Sequence, residues 1–141
     1  MIKCIGVLIY DRTKDKFLLQ QRSKKSSYAL TWGVWGGKLN DNESFIDGLT
    51  RELKEELGTV PNIFKMFPID IFHTHDQNFV YLSYLVIVDD YNDFVINEET
   101  NDYVWMEFEH IDKLNLHPGF LKSFEKKKNQ IFNIKEKYKG S

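Results

Sequence analysis

Three glutamates lie close together near the middle of the chain, at positions Glu52, Glu55 and Glu56. On an α-helix, which turns by about 100° per residue, Glu52 faces the other two at spacings of three and four residues. Each such pair of like charges costs roughly a few tenths of a kcal/mol on an exposed helix, and a bound multivalent cation would relieve this repulsion. Carboxylate oxygens with no sulfur or paired histidine nearby suit Mg²⁺ or Mn²⁺ better than zinc. The spacing therefore predicts a divalent-cation site.

A helix over residues 44–57 is predicted to carry these glutamates, with Gly58 as its C-cap. The glutamates border the apolar face of this helix, whereas carboxylates that only solubilise a helix lie opposite its core face. Gly48 lies on the same side, one turn before Glu52, and we expect it to admit the backbone of the Gly36-Gly37 loop. The predicted core face consists of Phe45, Ile46, Leu49, Leu53 and Leu57.

The glutamates belong to a longer pattern that resembles the Nudix box. The pattern reads Gly37, five residues, Glu43, seven residues, Arg51-Glu52-Leu53, one residue, Glu55-Glu56, one residue, Gly58. Nudix hydrolases, the MutT-type family, cleave nucleoside diphosphates that are linked to another group. Two positions depart from the family pattern. Thr59 stands where the box usually ends in an aliphatic residue, and Trp35 stands where proline often precedes the two glycines.

The resemblance implies a role for each matching residue. The implied metal ligands are the carbonyl of Gly37 and the carboxylates of Glu52, Glu55 and Glu56. Glu55 and Glu56 are also the implied catalytic residues of the box. Arg51 is implied to brace the box by pairing with Glu43, and Gly58 is a structural glycine at the end of the motif. The implied cofactor is Mg²⁺, with Mn²⁺ as the alternative.

A further acidic residue and two basic residues complete the predicted site. Several family members carry a glutamate six residues before a tryptophan on a later loop, and Glu99 stands at that distance from Trp105. The resemblance makes Glu99 a further metal ligand or a general base, with its neighbour Glu98 as the alternative. Arg22, after the second predicted strand, and Lys38, after the motif glycine, are predicted to bind phosphate oxygens of the substrate.

The rest of the chain mixes strand-like and helix-like segments. Apolar runs predict strands at residues 2–10, 16–21, 63–73, 79–88 and 103–108. The run at 79–88 is apolar on both faces and is therefore predicted to be a central strand. Residues 28–42 are predicted to be irregular, and residues 119–138 to form a closing helix. This order predicts one α/β domain over residues 1–141. The resemblance implies the Nudix α/β/α sandwich with a mixed central sheet.

Composition excludes several classes of protein. The chain has 141 residues, a net charge of −2 and one cysteine, Cys4. A single cysteine forms neither an intrachain disulfide nor a multi-cysteine zinc site, which fits a reducing compartment. No apolar run reaches the roughly 18 residues of a membrane span, and the N-terminal residues do not resemble a signal peptide. We therefore expect a cytoplasmic protein with no membrane partner. The sequence does not predict an oligomeric state.

The implied reaction is hydrolysis of a (deoxy)nucleoside triphosphate, oxidised forms included, to the monophosphate and pyrophosphate. A small-molecule nucleotide is thus the expected partner. Two alternatives stay open. One is removal of a 5′ pyrophosphate or cap from RNA, supported by seven lysines in residues 120–141 but disfavoured by the acidic balance of the chain. The other is a Nudix module that binds nucleotide without catalysis. Trp32 and Trp35 either fill the core or stack on a nucleotide base, and His117 either caps the closing helix or lines a pocket.

Overall fold

The strand Ile2–Asp11 (β1) lies at the centre of a seven-stranded mixed sheet in a computed structural model that describes residues 1–140. The other strands are β2 (Lys16–Arg22), β3 (Trp32–Gly33), β4 (Trp35–Lys38), β5 (Ile63–His73), β6 (Phe79–Val88) and β7 (Thr100–Met106). Helix α1 (Phe45–Leu57) covers one face of the sheet. Helix α2 (Pro118–Tyr138), preceded by a 3₁₀ helix at Phe108–Lys113, covers the other. The predicted α/β/α sandwich is confirmed.

The pairing of β1 explains why the glycine-rich segment joins the sheet. The first half of β1 pairs antiparallel with β4, its second half pairs antiparallel with β2, and its whole length pairs in parallel with β6. Strands β7 and β5 pair antiparallel with β2 and β6. The prediction that residues 28–42 are irregular is therefore wrong where β3 and β4 form. Pairing with β2 and β1 overrides the low strand propensity of their glycines.

Two hydrophobic cores lie on the two faces of the sheet. Successive residues of β1 point to opposite faces, so Val7 and Ile9 pack with Leu53 on the α1 side, while Leu8 packs with Phe124 on the α2 side. Burial on both faces explains why β1 and β6 have continuous apolar runs, and it confirms β6 as a central strand. Within residues 1–140, neither helix combines the length and the apolarity needed to cross a membrane.

Helix α1 begins and ends where the sequence predicts. At its start, the hydroxyl of Ser44 accepts a hydrogen bond from the N–H of Asp47 at 3.1 Å. At its end, Gly58 has a φ of +77° and donates its N–H to the carbonyl of Lys54 at 2.9 Å. Both ends of the helix that carries the glutamates are therefore capped locally.

The structure overturns the prediction for Ile46 and decides between the two alternatives for Trp35. Ile46 is 48% exposed, because Phe45 covers the sheet at the first turn of α1, with its ring 4.0 Å from that of Tyr84. The prediction that Ile46 faces the core is therefore wrong. Trp35 is buried, and its indole N–H donates to the carbonyl of Leu18 at 2.9 Å. This tryptophan is a core residue with no ring face available to a nucleotide base.

Asp11, at the end of β1, connects the turn between β1 and β2 to the loop after β6. Its buried carboxylate accepts hydrogen bonds from the N–H groups of Thr13, Lys14, Asp90 and Tyr91 at 2.7 to 3.2 Å, and from Lys14 Nζ at 2.9 Å. Burial alone would raise the pKa of Asp11. The hydrogen bonds from Lys14 and Tyr91 outweigh burial and hold the pKa below its usual value.

We expect Asp11→Asn to lower the free energy of unfolding by about 2 kcal/mol at pH 7, because an amide cannot accept all five bonds. The folded-state pKa lies below the unfolded value of about 4, so the contribution of the ionised carboxylate is complete above that pH. It is lost as the pH falls through the folded-state pKa. Urea unfolding of both proteins between pH 7 and pH 3 (roughly the range around this transition) measures the difference. If the difference in the free energy of unfolding between the two proteins grew on acidification, this explanation of the role of Asp11 would be wrong.

Candidate active site

Strand β4 passes directly against helix α1 at two glycines. Gly36 has a φ of +127°, and a side chain there would collide with the carbonyl of Ile5 on β1. At Gly37, a Cβ atom would lie 2.8 Å from both carboxylate oxygens of Glu52, which is too close for nonbonded atoms. Glycine at position 36 therefore allows β4 to lie against β1, and glycine at position 37 allows the glutamate-bearing side of α1 to reach β4.

Gly48 has different neighbours from the predicted ones. A Cβ atom there would collide with the side chain of Leu39 and would lie 3.1 Å from Glu43 Oε1. The Gly36-Gly37 segment approaches Glu52 instead, one turn further along α1. The prediction that the backbone of the Gly36-Gly37 loop approaches Gly48 is therefore wrong, because two side chains occupy that position. Pairing of β4 with β1 sets which turn of α1 the strand meets.

Glu56 points from α1 towards β4 and β2. Its Oε1 accepts the N–H of Gly36 at 2.6 Å, and its Oε2 accepts from Gln20 Nε2 at 3.3 Å. Burial raises the pKa of Glu56 to about 7 against the lowering effect of these hydrogen bonds, and the charges of Glu52 and Glu99 raise it further. A carboxyl group with a pKa near neutrality can accept or release a proton at pH 7, as a general base or acid must.

Arg51 links the other acidic residues of this region. Its Nε and Nη2 bond the two carboxylate oxygens of Glu43 at 2.8 and 3.0 Å, and Nη2 also donates to the carbonyl of Lys38 at 3.0 Å. Its Nη1 lies 3.1 Å from Glu52 and 3.2 Å from Glu55. The Glu43–Arg51 pair implied by the resemblance is thus present in the structure. The guanidinium offsets repulsion among the glutamates, although burial still raises the pKa of Glu52.

An open cleft of about 990 Å³ brings together part of the predicted site. The predicted site residues that line it are Arg22, Gly37, Glu56 and Glu99. Glu98 also borders the cleft, so both alternatives for the later glutamate are present. Among the described residues, Glu52, Glu55 and Lys38 lie outside the lining. Glu52 is buried against Gly37, whereas Glu55 and Lys38 are exposed to solvent.

Three polar residues outside the motif connect the walls of this cleft. Thr100 Oγ1 donates to Gln20 Oε1 at 2.9 Å. Asn97 donates to the carbonyl of Glu55 and accepts the N–H of Glu99, both at 2.9 Å. Gln20 carries a signal in the sequence, because it lies on the core-facing side of β2, where strand alternation predicts an apolar residue. Asn97 and Thr100 carry no such signal, because Glu55 and Gln20, which connect them to the opposite wall of the cleft, are distant along the chain.

A second cavity, of about 510 Å³, lies on the α2 side of the sheet and adjoins the cleft. Arg22, Val34 and Tyr81 border both spaces. The cavity is lined mainly by apolar groups, among them Phe79 on β6. His117 both caps α2, by accepting the N–H of Gly119 at 3.0 Å, and lines the cavity. An apolar cavity of this size beside a polar cleft is typical of a small-molecule site.

The oxygen donors at the box suit a hard divalent cation. Glu52 and Glu56 bring carboxylates to the Gly36-Gly37 backbone, and such oxygens are the ligands that Mg²⁺ and Mn²⁺ prefer. Within residues 1–140, no three or more histidine, cysteine, aspartate or glutamate side chains are gathered closely enough to hold an ion as they stand. Arg51 supplies the positive charge beside Glu55 instead. The donor chemistry of these residues fits a divalent cation.

The sequence matches the family described as NUDIX domain over residues 2–126. This match covers most of the chain, and the chain therefore belongs to the Nudix family. Members of the family generally need divalent metal ions.

The curated relatives are distant. A Mycobacterium tuberculosis protein named "Putative 8-oxo-dGTP diphosphatase 3" is 26% identical over 113 residues, which cover 77% of this chain and 52% of the relative. The CTP pyrophosphohydrolase of Escherichia coli K12 is 41% identical over 58 residues, which cover 41% of this chain and 42% of the relative. The chain thus spans about half the length of these relatives.

Solved structures confirm the fold. A Nudix hydrolase from M. smegmatis, RenU, superposes with a TM-score of 0.79 at 19% identity, over 94% of this chain and 86% of that one. A MutT protein from Methanosarcina mazei Go1 superposes with a TM-score of 0.70 at 26% identity, over 92% of this chain and 94% of that one.

We expect Arg51→Lys to lower the free energy of unfolding by about 1 kcal/mol, because an ammonium group cannot reproduce the forked contacts to Glu43 and the bonds to Glu52 and Glu55. Urea unfolding measures the change. Lys54→Ala, which removes an exposed cation from the same helix, is the control and should have a smaller effect. Equal losses in the two variants would show that the guanidinium network contributes nothing beyond a surface charge.

Proposed function

We propose that this Nudix domain is a Mg²⁺-dependent pyrophosphohydrolase, with Mn²⁺ as the alternative ion. Its proposed substrate is a (deoxy)nucleoside triphosphate, oxidised forms included, which it converts to the monophosphate and pyrophosphate. The observation that carries the proposal is the convergence of Glu56 and Glu99 on a glycine-lined cleft that adjoins an apolar cavity. The relatives named for 8-oxo-dGTP and CTP support a nucleoside triphosphate as the substrate class.

The proposed cation ligands are the carbonyl of Gly37 and the carboxylates of Glu52, Glu55, Glu56 and Glu99. A divalent cation bound there would neutralise charge on the diphosphate oxygens and on the leaving pyrophosphate. In its absence, Arg51 contacts Glu52 and Glu55, while the N–H of Gly36 and the amide of Gln20 hold Glu56.

Hydrolysis also requires a group that takes a proton from the attacking water. The water oxygen forms a bond to phosphorus, the phosphorus–oxygen bond to pyrophosphate breaks, and the proton passes to a carboxylate. Glu56 is one candidate, because its carboxylate lines the cleft and lies against the backbone of Gly36. Glu99 is the other candidate, because it lines the same cleft and is exposed to solvent.

The two adjoining spaces suit the two ends of a nucleotide. The apolar cavity would hold the base and the acidic cleft the phosphates, with Arg22 at the boundary between them. Arg22 donates to the carbonyl of Ser27 at 2.8 Å, which holds the guanidinium in place for a phosphate oxygen. Lys38 has weaker support as a phosphate ligand, because it lies outside the cleft lining among residues 1–140.

A second candidate function is removal of a 5′ pyrophosphate or cap from RNA. Lysines border both spaces, with Lys24 and Lys25 at the cleft and Lys122 and Lys126 at the cavity. Such a rim would contact the backbone of a nucleic acid that continues beyond the first nucleotide. Binding through phosphates weakens steeply with salt, whereas a mononucleotide makes few such contacts.

We expect Glu56→Gln to fold and to lower kcat/KM by about 10² to 10⁴, because an amide can neither take up the proton nor carry the negative charge. The measurement is a substrate panel with Mg²⁺, with products followed by chromatography. The panel contains common and oxidised (d)NTPs, nucleotide sugars, ADP-ribose, dinucleotide polyphosphates and 5′-triphosphate or capped RNA. Circular dichroism checks that the variant folds.

If the wild type turns over one class of substrate and Glu56→Gln does not, the activity and its substrate class are established. Turnover of RNA with a steep salt dependence would favour the second candidate. Nucleotide binding without turnover of any substrate would leave a non-catalytic nucleotide-binding module and would overturn the proposed enzyme.

We expect Glu99→Gln to lower kcat by about tenfold, less than Glu56→Gln, because Glu99 is exposed and has fewer fixed contacts. Glu98→Gln is the matched control, since it removes one negative charge from the neighbouring residue at the same cleft. Steady-state kinetics with the best substrate of the panel compares the two. A larger loss in Glu98→Gln would assign the later acidic role to Glu98.

A further inference from the structure

Gln20 makes three hydrogen bonds inside the cleft wall, each to a different segment of the chain. Its Nε2 donates to the carbonyl of Val34 at 2.9 Å and to Glu56 at 3.3 Å, and its Oε1 accepts from Thr100 Oγ1 at 2.9 Å. The side chain thus joins strand β2, the residue before β4, helix α1 and the first residue of β7.

The chemistry of these partners determines the orientation of the amide. A backbone carbonyl and a carboxylate only accept hydrogen bonds, so the nitrogen of Gln20 must face Val34 and Glu56. The amide oxygen must then face Thr100, and the threonine hydroxyl must donate to it. The two hydrogens of the NH₂ group match the two acceptors, and the arrangement leaves no donor of the amide unused.

Thr100 also stands directly after the later acidic segment. It is 5% exposed, while Glu98 and Glu99 before it are exposed. On the other side of that segment, Asn97 accepts the N–H of Glu99 and donates to the carbonyl of Glu55. The Glu98-Glu99 segment is therefore tied to α1 at one end through Asn97 and at the other end through Thr100 and Gln20.

We propose that Gln20 and Thr100 act as a positioning pair: the Thr100 hydroxyl orients the Gln20 amide, and the amide holds the Glu56 carboxylate in the direction that cation binding and hydrolysis require. This inference rests on the proposed function of the same cleft. Thr100 does not touch Glu56 and acts on it only through Gln20. Neither residue is a catalytic residue, since their polar atoms are engaged with the protein.

Thr100→Val and Thr100→Ser form a matched pair that tests this role. Valine keeps the shape of threonine without the hydroxyl, whereas serine keeps the hydroxyl without the methyl group. We expect Thr100→Val to raise the Kd for Mn²⁺ about tenfold, measured on the full chain without substrate by the electron paramagnetic resonance of free Mn²⁺. With the best substrate of the panel, it should lower kcat about tenfold and change KM by less than about twofold. Thr100→Ser should stay within about twofold of the wild type in all three quantities.

Gln20→Met provides a second test, which remains informative if a Thr100 variant fails to fold. Combined with Thr100→Val, it forms a double-mutant cycle. We expect Gln20→Met to raise the Kd for Mn²⁺ about tenfold as well, and Gln20→Met/Thr100→Val to raise it no further, because Thr100 acts only through Gln20. Additive effects, a wild-type Kd in Thr100→Val or in Gln20→Met, or equal losses in Thr100→Val and Thr100→Ser would each overturn the pair.

The Mn²⁺ measurement separates this proposal from the proposed function. In one outcome, no substrate of the panel is turned over, but Thr100→Val and Thr100→Ser differ in Mn²⁺ affinity as expected. This would support the positioning role of Gln20 and Thr100 and overturn the proposed enzymatic activity. If the wild type hydrolyses a substrate but the two variants bind Mn²⁺ and react alike, the enzyme stands and the positioning pair is overturned.

Discussion

The hydrogen bond from the backbone N–H of Gly36 to the carboxylate of Glu56, at 2.6 Å, is the contact on which the candidate site depends. It requires helix α1 and strand β4 to lie closer together than a side chain at Gly37 would permit, and a side chain at Gly36 would collide with the neighbouring strand β1. It also requires β4 to be held in the sheet by β1, because an isolated glycine-rich segment would not keep an extended conformation. The pairing of β4 with β1 and the close approach of α1 at Gly37 thus together place the carboxylate of Glu56 beside the strand.

Burying carboxylates has an electrostatic cost that the surroundings offset in two ways. Around Glu56 the offset comes from neutral donors, namely the N–H of Gly36 and the amide of Gln20, and its pKa remains raised to about 7. At Glu52 it comes from the guanidinium of Arg51, which also contacts the exposed Glu55 and is itself held by Glu43. The neutral donors leave Glu56 able to exchange a proton near neutral pH. The guanidinium of Arg51 holds the carboxylates of Glu52 and Glu55 in positions where a bound cation could replace its positive charge.

The two faces of the sheet supply two different environments that meet at the end of β2. The α1 side carries the acidic cleft, and the α2 side carries the apolar cavity. The pairing of β2 with β7 shifts register between Gln21 and Arg22, and Arg22 borders both spaces. Such an irregularity changes the direction of a side chain relative to regular alternation. One strand therefore contributes Gln20 to the acidic cleft and Arg22 to its boundary with the cavity.

The sequence by itself determined the sandwich class, the limits of helix α1 and the glutamates of the box, because periodicity, caps and motif spacing are local properties of the chain. It failed at β3 and β4, at the neighbours of Gly48 and at the exposure of Ile46. Only the tertiary structure decided these, and only it brought Gln20 to Thr100 and Glu99 near Glu56. Local periodicity indicates which side of an element is buried. The partner that buries it is set by the pairing of strands and the packing of helices that lie far apart along the chain.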